Sequence, residues 1–72
     1  MSELLDALVA KYNGDVMAAR ANIAVFQKNP AGIGEHPDII GAMDMEVEKL
    51  AAAEEKLQAV LNLKKDQSFI QD

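Results

Sequence analysis

Apolar residues recur along the first part of the chain with the spacing of a helix that packs lengthwise against another helix. They are separated by alternating steps of four and three, at Leu5, Val9, Tyr12, Val16, Ala19, Ile23 and Phe26. This heptad-like spacing is typical of the amphipathic helices of coiled coils. The pattern ends at Asn29-Pro30, because a residue that precedes proline is disfavoured in the helical region. We therefore predict a helix over about residues 2–28.

A second apolar series of the same length follows, with the order of its steps reversed. Its positions are Ile40, Met43, Val47, Leu50, Glu54, Leu57 and Leu61. Each series covers 22 residues, about 33 Å of helix at ~1.5 Å per residue. If the chain doubles back, the two series match layer by layer, and the numbers of each facing pair add up to 66. The sequence predicts an all-α fold, an antiparallel two-helix hairpin in one domain over 1–72, with a loop over 29–37, a second helix over about 38–65 and a tail over 66–72.

Three local features bear on the boundaries of these helices. Asn13-Gly14 is a strong helix breaker, but the apolar spacing keeps its phase across it, and we predict one continuous first helix with Gly14 on its outward face. Pro37 suits a first helical position, and Asp38 adds a carboxylate to the first turn. For Phe69 and Ile70 in the tail, three alternatives remain: docking against the bundle end, extension of the helix, or a tail that does not pack.

One of the seven predicted layers is mixed, because Tyr12 faces Glu54. A hydrogen bond between these two side chains would fix the register of the hairpin, which is the best-attested use of a polar group in a helical seam. The alternative is that Glu54 lies at the edge of the seam and reaches water. Tyr12 and Glu54 are therefore the candidate register pair.

A single hairpin leaves apolar surface uncovered. Further apolar residues flank the two series and widen each apolar face toward that of a bundle helix; they are Leu4, Leu8, Ile39, Ala53 and Val60. A chain of 72 residues buries only about 60% of its unfolded surface, and without cysteine it forms no disulfide. We expect a homodimer that completes a four-helix bundle through these flanking residues. A higher oligomer, or another protein that supplies the missing helices, is the alternative.

The composition argues against several classes of function. A net charge of −5 disfavours binding to nucleic acid. No unbroken apolar run is longer than that of residues 50–53, against the roughly 20 residues of a membrane span. No signal peptide is apparent, so we expect a cytoplasmic protein without a membrane partner. With a single histidine and no cysteine, a nucleophile–base pair is hard to assemble, and we predict no enzyme, no catalytic residue and no cofactor.

Ten consecutive residues, NPAGIGEHPD at 29–38, contain both prolines, two of the four glycines and the only histidine. The simpler interpretation is a turn in which glycine permits unusual backbone angles and proline ends the helices. The connection is, however, longer than the roughly 2–8 residues usual between bundle helices, which keeps a recognition role open. The candidate recognition residues are Ile33, Gly34, Glu35, His36 and Asp38. One imidazole with a few carboxylates is a poor ligand set, and we predict no metal site.

Residues 21–57, ANIAVFQKNPAGIGEHPDIIGAMDMEVEKLAAAEEKL, resemble small uncharacterised proteins of tailed phages, especially marine and cyanobacterial ones. In that group a helix that ends near Asn-Pro is followed by a Gly-x-Gly-Glu-His-Pro-Asp turn and an acidic, alanine-rich helix. The resemblance covers about half of the chain and implies a helical hairpin from a phage, hence the cytoplasm of a bacterial host, but it implies no activity.

Together these features predict a small non-enzymatic interaction or assembly protein, in the phage case an accessory factor. The alternative is an oligomer that binds a small ligand or a metal through the loop at residues 32–38.

Overall fold

The computed structural model describes residues 2–29 and 38–70 of the chain. These residues form two helices, α1 (Glu3–Lys28) and α2 (Ile39–Ile70), and no strand. The helices pack side by side in a rod of 55 × 15 × 15 Å, whose length follows from α2, because 32 residues at ~1.5 Å each extend about 48 Å. The two helices run antiparallel, since Asp6 near the start of α1 contacts Lys64 near the end of α2. The predicted all-α helical hairpin is confirmed.

Both ends of α1 are capped by polar groups next to the helix. The Ser2 hydroxyl accepts a hydrogen bond from the Leu5 backbone N–H at 3.2 Å, which satisfies one of the free donors of the first turn. At the other end the Asn29 N–H donates to the Val25 carbonyl at 2.8 Å. Between these caps α1 is continuous through Asn13-Gly14, as predicted.

The start of α2 differs slightly from the prediction. Asp38 does not lie within the first turn; it precedes the helix and caps it, because its Oδ1 accepts from the Gly41 N–H at 2.8 Å and its carbonyl oxygen from the Ala42 N–H at 3.1 Å. Aspartate is favoured at the position before a helix, because from there its short side chain reaches the free N–H groups of the first turn. A β-carbon at Gly41 would collide with the Asp38 carboxylate, so this glycine leaves room for the cap. Pro37 lies outside the described residues.

The C-terminal end of α2 extends beyond its predicted end at 65 to Ile70. The separate tail predicted over 66–72 is therefore wrong for residues 66–70, and extension of the helix is the alternative that the structure shows. Lysine and glutamine favour helices, and the sequence offers neither glycine nor proline after Pro37 and Gly41 to end α2 earlier. Residues 71–72 lie outside the described part.

The seam between the helices uses the predicted face of α1 and a rotated face of α2. On α1 every predicted position is at least partly buried, and Ala19 is fully buried. On α2 the seam follows Met43, Glu46, Leu50, Ala53, Leu57 and Val60. The predicted positions Ile40, Val47 and Leu61 are instead exposed, with 79% of Ile40 accessible. That part of the predicted series is wrong.

The physical reason for the rotation of α2 lies in the residues that differ between its predicted face and its observed face. Both faces contain Met43, Leu50 and Leu57, so these three positions do not discriminate. The observed face adds Ala53 and Val60, which are small enough for a close approach of two helix axes. It also adds Glu46, for which α1 provides a hydrogen-bond donor.

Candidate functional site: the polar pair in the interhelical seam

The most distinctive polar group of the described residues is a carboxylate inside the seam. Glu46 on α2 is only 9% exposed. Its Oε1 accepts a hydrogen bond from Asn22 Nδ2 on α1 at 2.9 Å, and its Oε2 accepts one from Lys49 Nζ at 3.1 Å. A buried carboxylate is tolerated when both oxygens find donors. Asn22 and Glu46 therefore form a hydrogen-bonded pair within the seam, with the charged Lys49 at its rim. We call these three residues the Asn22–Glu46 cluster.

The cluster keeps Glu46 ionised. The hydrogen bond from the Asn22 amide, and next to it the hydrogen bond from the Lys49 ammonium, lower the pKa of Glu46 below its ordinary value, because both donors favour the charged form. Partial burial acts in the opposite direction but is the weaker influence. With a lowered pKa and both oxygens engaged, Glu46 is suited to hold two helices in register and poorly suited to deliver a proton.

A groove of about 330 Å³ runs along this side of the hairpin. It is open to solvent, and a mixture of alanines and charged side chains lines it: Asp15, Ala18, Ala19, Asn22, Glu46, Lys49, Ala52, Ala53 and Lys56. Its lining includes two lysines and two carboxylates, of which only Asp15 lies on α1, so neither sign of charge dominates. The groove results from alanine side chains that do not fill the space between the helices. Its charged residues are those that border the seam.

Tyr12 and Glu54, the predicted register pair, are not partners. The Glu54 carboxylate accepts from Arg20 Nη2 on α1 at 3.2 Å, with both side chains about half exposed or more. The Tyr12 ring lies between two ammonium groups, 5.5 Å from Lys11 Nζ and 5.8 Å from Lys56 Nζ, distances at which a cation attracts an aromatic face. Glu54 thus lies at the edge of the seam, which is the alternative interpretation, and the side-chain hydrogen bond within the seam joins Asn22 to Glu46 instead.

The five residues of the predicted packing interface divide into two groups. Ala53 and Val60 are buried between α1 and α2, so the expectation that they face a second copy is wrong. Leu4 is 80% exposed, Ile39 is exposed and Leu8 is half-buried. The rotation of α2 turns the flank that carries Ala53 and Val60 inward, whereas Leu4 and Leu8 lie on α1 and Ile39 is the first residue of α2.

Most of the predicted recognition loop, including Ile33, Gly34, Glu35 and His36, lies outside the described residues. Asp38 is described, and its side chain is engaged in capping α2. Beside it lies a second open cavity of about 400 Å³, lined by Phe26, Asp38, Gly41, Ala42, Met45 and Glu46. Within residues 2–29 and 38–70, no three histidine or acidic side chains come together as metal ligands would.

Large apolar side chains remain exposed over the whole length of the hairpin. None of the large side chains in the described ranges is completely buried. The exposed ones are Leu4, Met17, Val25, Ile39, Ile40, Met45, Val47, Leu61 and Leu63. Exposed apolar surface of this extent is typical of a chain that associates with another surface. None of the helices in the described part is long and apolar enough to cross a membrane.

Sequence reasoning missed Asn22 and Glu46, although a signal for Glu46 was present. The same three-four spacing as in the predicted series occurs at Met43, Glu46, Leu50, Ala53, Leu57 and Val60. The predicted series is more hydrophobic, and hydrophobicity alone does not reveal that a donor on α1 lies opposite a carboxylate on α2. Asn22, which lies next to Ile23 at the edge of the α1 series, gave no such signal.

Comparison with known proteins adds nothing to this geometry: no protein-family model, no curated protein and no solved structure matches the chain. The resemblance of residues 21–57 to phage proteins therefore stays a prediction. The function has to be argued from the Asn22–Glu46 cluster and from the exposed apolar surface.

Proposed function

We propose that this protein is a small non-enzymatic interaction or assembly protein that acts as an oligomer of its own hairpin. The observation that supports the proposal most directly is the contrast between the seam and the surface. Among the described residues, the buried apolar ones are Ala19, Ala53 and Val60, all of them small or medium in size, whereas nine large apolar residues are exposed. Burial of apolar side chains is the main stabilising contribution to folding, and a single hairpin leaves most of its large apolar side chains partly or fully exposed.

The surface area of the chain supports the same proposal. Its accessible surface is 5556 Å², whereas a compact protein of 7.8 kDa would expose about 4,400 Å². The rod therefore exposes about 1,200 Å² more than a compact fold of its mass. A standard protein–protein interface covers about 800 Å² on each partner. The excess is large enough for one such interface.

The chemistry of the polar cluster supports a structural role over a catalytic one. Glu46 is the buried carboxylate of the described residues, and hydrogen bonds from Asn22 and Lys49 occupy both of its oxygens. A general acid or base needs a carboxyl group that is free to exchange its proton and a pKa near the working pH. Glu46 has neither property, since its pKa is lowered.

The proposal also concerns the origin of the protein. If the resemblance of residues 21–57 reflects common origin, the protein is an accessory factor of a tailed phage, and its partner is either a second copy or another phage protein that covers the same surface.

Size-exclusion chromatography with light scattering tests self-association. We expect a mass of at least twice 7.8 kDa at micromolar concentration. A folded species with the mass of one chain at all accessible concentrations would overturn self-association.

A further inference from the structure

The outward side of α1, which faces away from α2, is made almost entirely of small and apolar residues. We call it the α1 outward face; its members are Leu4, Ala7, Ala10, Gly14, Met17, Ala18, Ala21 and Val25, with Ala18 at the edge next to the groove and Lys11 as the one charged residue among them. All eight are exposed, and Leu4 and Met17 are among the most exposed large side chains, at 80% and 71%. Their spacing of three, four and seven residues places them along one side of the helix. No residue in the described ranges 2–29 and 38–70 covers this face.

Gly14, at the middle of this face, has no explanation within its own chain. Glycine in the interior of a helix is less favourable than alanine. A β-carbon at Gly14 would meet nothing within 4 Å, so the fold of the hairpin does not require its absence. One role of glycine is to let another backbone approach closely, and here that backbone must come from outside the hairpin.

The small residues are arranged symmetrically about Gly14. Ala10 and Ala18 lie four residues on either side of it, and Ala7 and Ala21 lie seven residues on either side. When two identical helices cross antiparallel at Gly14, Ala7 of one copy faces Ala21 of the other, and the reverse. A two-fold interface requires this reciprocity, because the same patch is used by both subunits. Contacts between small residues permit helix axes near the lower end of the usual range of about 8–10 Å.

Six of the nine large apolar side chains that are exposed in the described residues lie on α2, but the distribution of charge favours α1 as the contact between two copies. The chain carries a net charge of −5, and the side of α2 that faces away from α1 carries four exposed acidic residues, Asp44, Glu48, Glu55 and Asp66. The α1 outward face has none between Leu4 and Val25. Two copies that met through α2 would bring these carboxylates together, and like charges at short distance repel.

We infer that two copies of this chain associate through their α1 outward faces, antiparallel, about a two-fold axis at Gly14. This inference rests on the proposed self-association and specifies its surface. The contact is a strip about 33 Å long at ~1.5 Å per residue, and the excess of about 1,200 Å² leaves room for it. The α2 helices lie on the two outer sides of the resulting four-helix assembly, with their acidic surfaces in solvent.

Disulfide trapping tests this geometry, because the natural chain contains no cysteine. At a two-fold axis a single cysteine faces its own copy, and a disulfide needs a Cα–Cα distance of about 4.4–6.8 Å. Under a mild glutathione redox buffer, Gly14→Cys is expected to form a disulfide-linked dimer rapidly and almost completely. Glu55→Cys, exposed on the opposite helix, is the matched control and is expected to remain mostly monomeric on denaturing gels.

The direction of the two helices is tested by mixing variants. Ala7→Cys and Ala21→Cys are expected to crosslink to each other when mixed, and each is expected to crosslink poorly alone. Self-crosslinking of Ala7→Cys at the rate of Gly14→Cys would overturn the antiparallel arrangement. Equal crosslinking of Gly14→Cys and Glu55→Cys, or faster crosslinking of Val47→Cys on the flank of α2, would overturn the α1 surface.

A non-covalent variant separates this inference from the proposed function. Gly14→Leu adds bulk where the hairpin has open space, so we expect unchanged helical circular dichroism and a mass reduced to one chain; Glu48→Leu should keep the mass of the natural protein. A natural protein that is monomeric overturns both self-association and its surface. A dimer that persists in folded Gly14→Leu overturns the surface alone, and if that variant fails to fold, the cysteine experiments decide.

Discussion

Asn22 on α1 donates a hydrogen bond to the buried carboxylate of Glu46 on α2, with 2.9 Å between Nδ2 and Oε1. This bond joins residues 24 positions apart in the sequence. A polar pair in an apolar seam favours one register over its neighbours, because any shift leaves a buried charge without a donor. In this hairpin most of the large side chains along the seam are only partly buried, so the pair restricts the register in addition to what their packing supplies.

The first prediction concerns the loss of this donor. Asn22→Ala leaves one Glu46 oxygen without its partner, and we expect the free energy of unfolding to fall by about 1–3 kcal/mol. Urea unfolding at fixed protein concentration measures it, and Asn13→Ala, an exposed asparagine on the same helix, is the control. The double variant Asn22→Leu/Glu46→Leu should recover most of the stability, because an apolar pair needs no donor. Equal stability of Asn22→Ala and the natural chain would show that the hydrogen bond from Asn22 does not stabilise the hairpin.

The second prediction concerns pH. Because the pKa of Glu46 is lowered in the folded state, the unfolded chain takes up this proton first as the pH falls. The contribution of Glu46 to stability is therefore complete above the ordinary glutamate pKa of about 4.3, declines below it, and vanishes below the lowered pKa. In Glu46→Gln the free energy of unfolding should depend less steeply on pH in this range. Glu48→Gln removes an exposed carboxylate and controls for the change in net charge; identical slopes for Glu46→Gln and the natural chain would contradict the prediction.

A third prediction addresses the cap of α2. Asp38→Ala removes the acceptor of the Gly41 N–H, and we expect a loss of about 0.5–2 kcal/mol in unfolding free energy. Asp38→Asn should retain most of the stability, since an asparagine oxygen caps as well. Asp44→Ala, which changes an exposed aspartate within α2, serves as control. If Asp38→Ala and Asp44→Ala were equally stable, the hydrogen bond would contribute nothing measurable.

The fourth prediction concerns the ion pair between Asp6 and Lys64, which joins α1 to α2 near the chain ends at 2.6 Å. Both side chains are about half exposed, so the pair should contribute only about 0.2–1 kcal/mol. A double-mutant cycle with Asp6→Asn and Lys64→Met measures the coupling, which should disappear at about 1 M salt, where the screening length is ~3 Å. A coupling that is unaffected by salt would show that the two residues interact through packing.

The sequence predicts the features that follow from the spacing of apolar residues within each helix. It does not predict the features that depend on which residues of α1 and α2 contact each other. Two helices, their antiparallel order and the continuity of α1 through Gly14 all follow from spacing and proline placement, and the structure confirms them. The face of α2 does not, because Met43, Leu50 and Leu57 belong to two overlapping stripes. The small residues Ala53 and Val60 and the position of Asn22 on the opposite helix decide between the two stripes. Periodicity within one helix contains no information about donors on another.

The end of α2 and the role of Asp38 show a similar limit. Lys64 and Lys65 stand at the predicted end of α2, but the favourable effect of a cation near a C-terminus is small, and it does not stop a helix that lacks a breaker. Asp38 was placed one position too far into the helix, within the usual uncertainty of one or two residues at helix ends.

The dependence of thermal unfolding on protein concentration tests the central claim most directly, namely that the hairpin is completed by a second copy of itself. For a folded oligomer that dissociates as it unfolds, mass action raises the melting temperature with concentration. Over about a hundredfold range of concentration we therefore expect a steady rise in the melting temperature of the natural chain. A reversible transition whose melting temperature stays constant over that range would contradict the account.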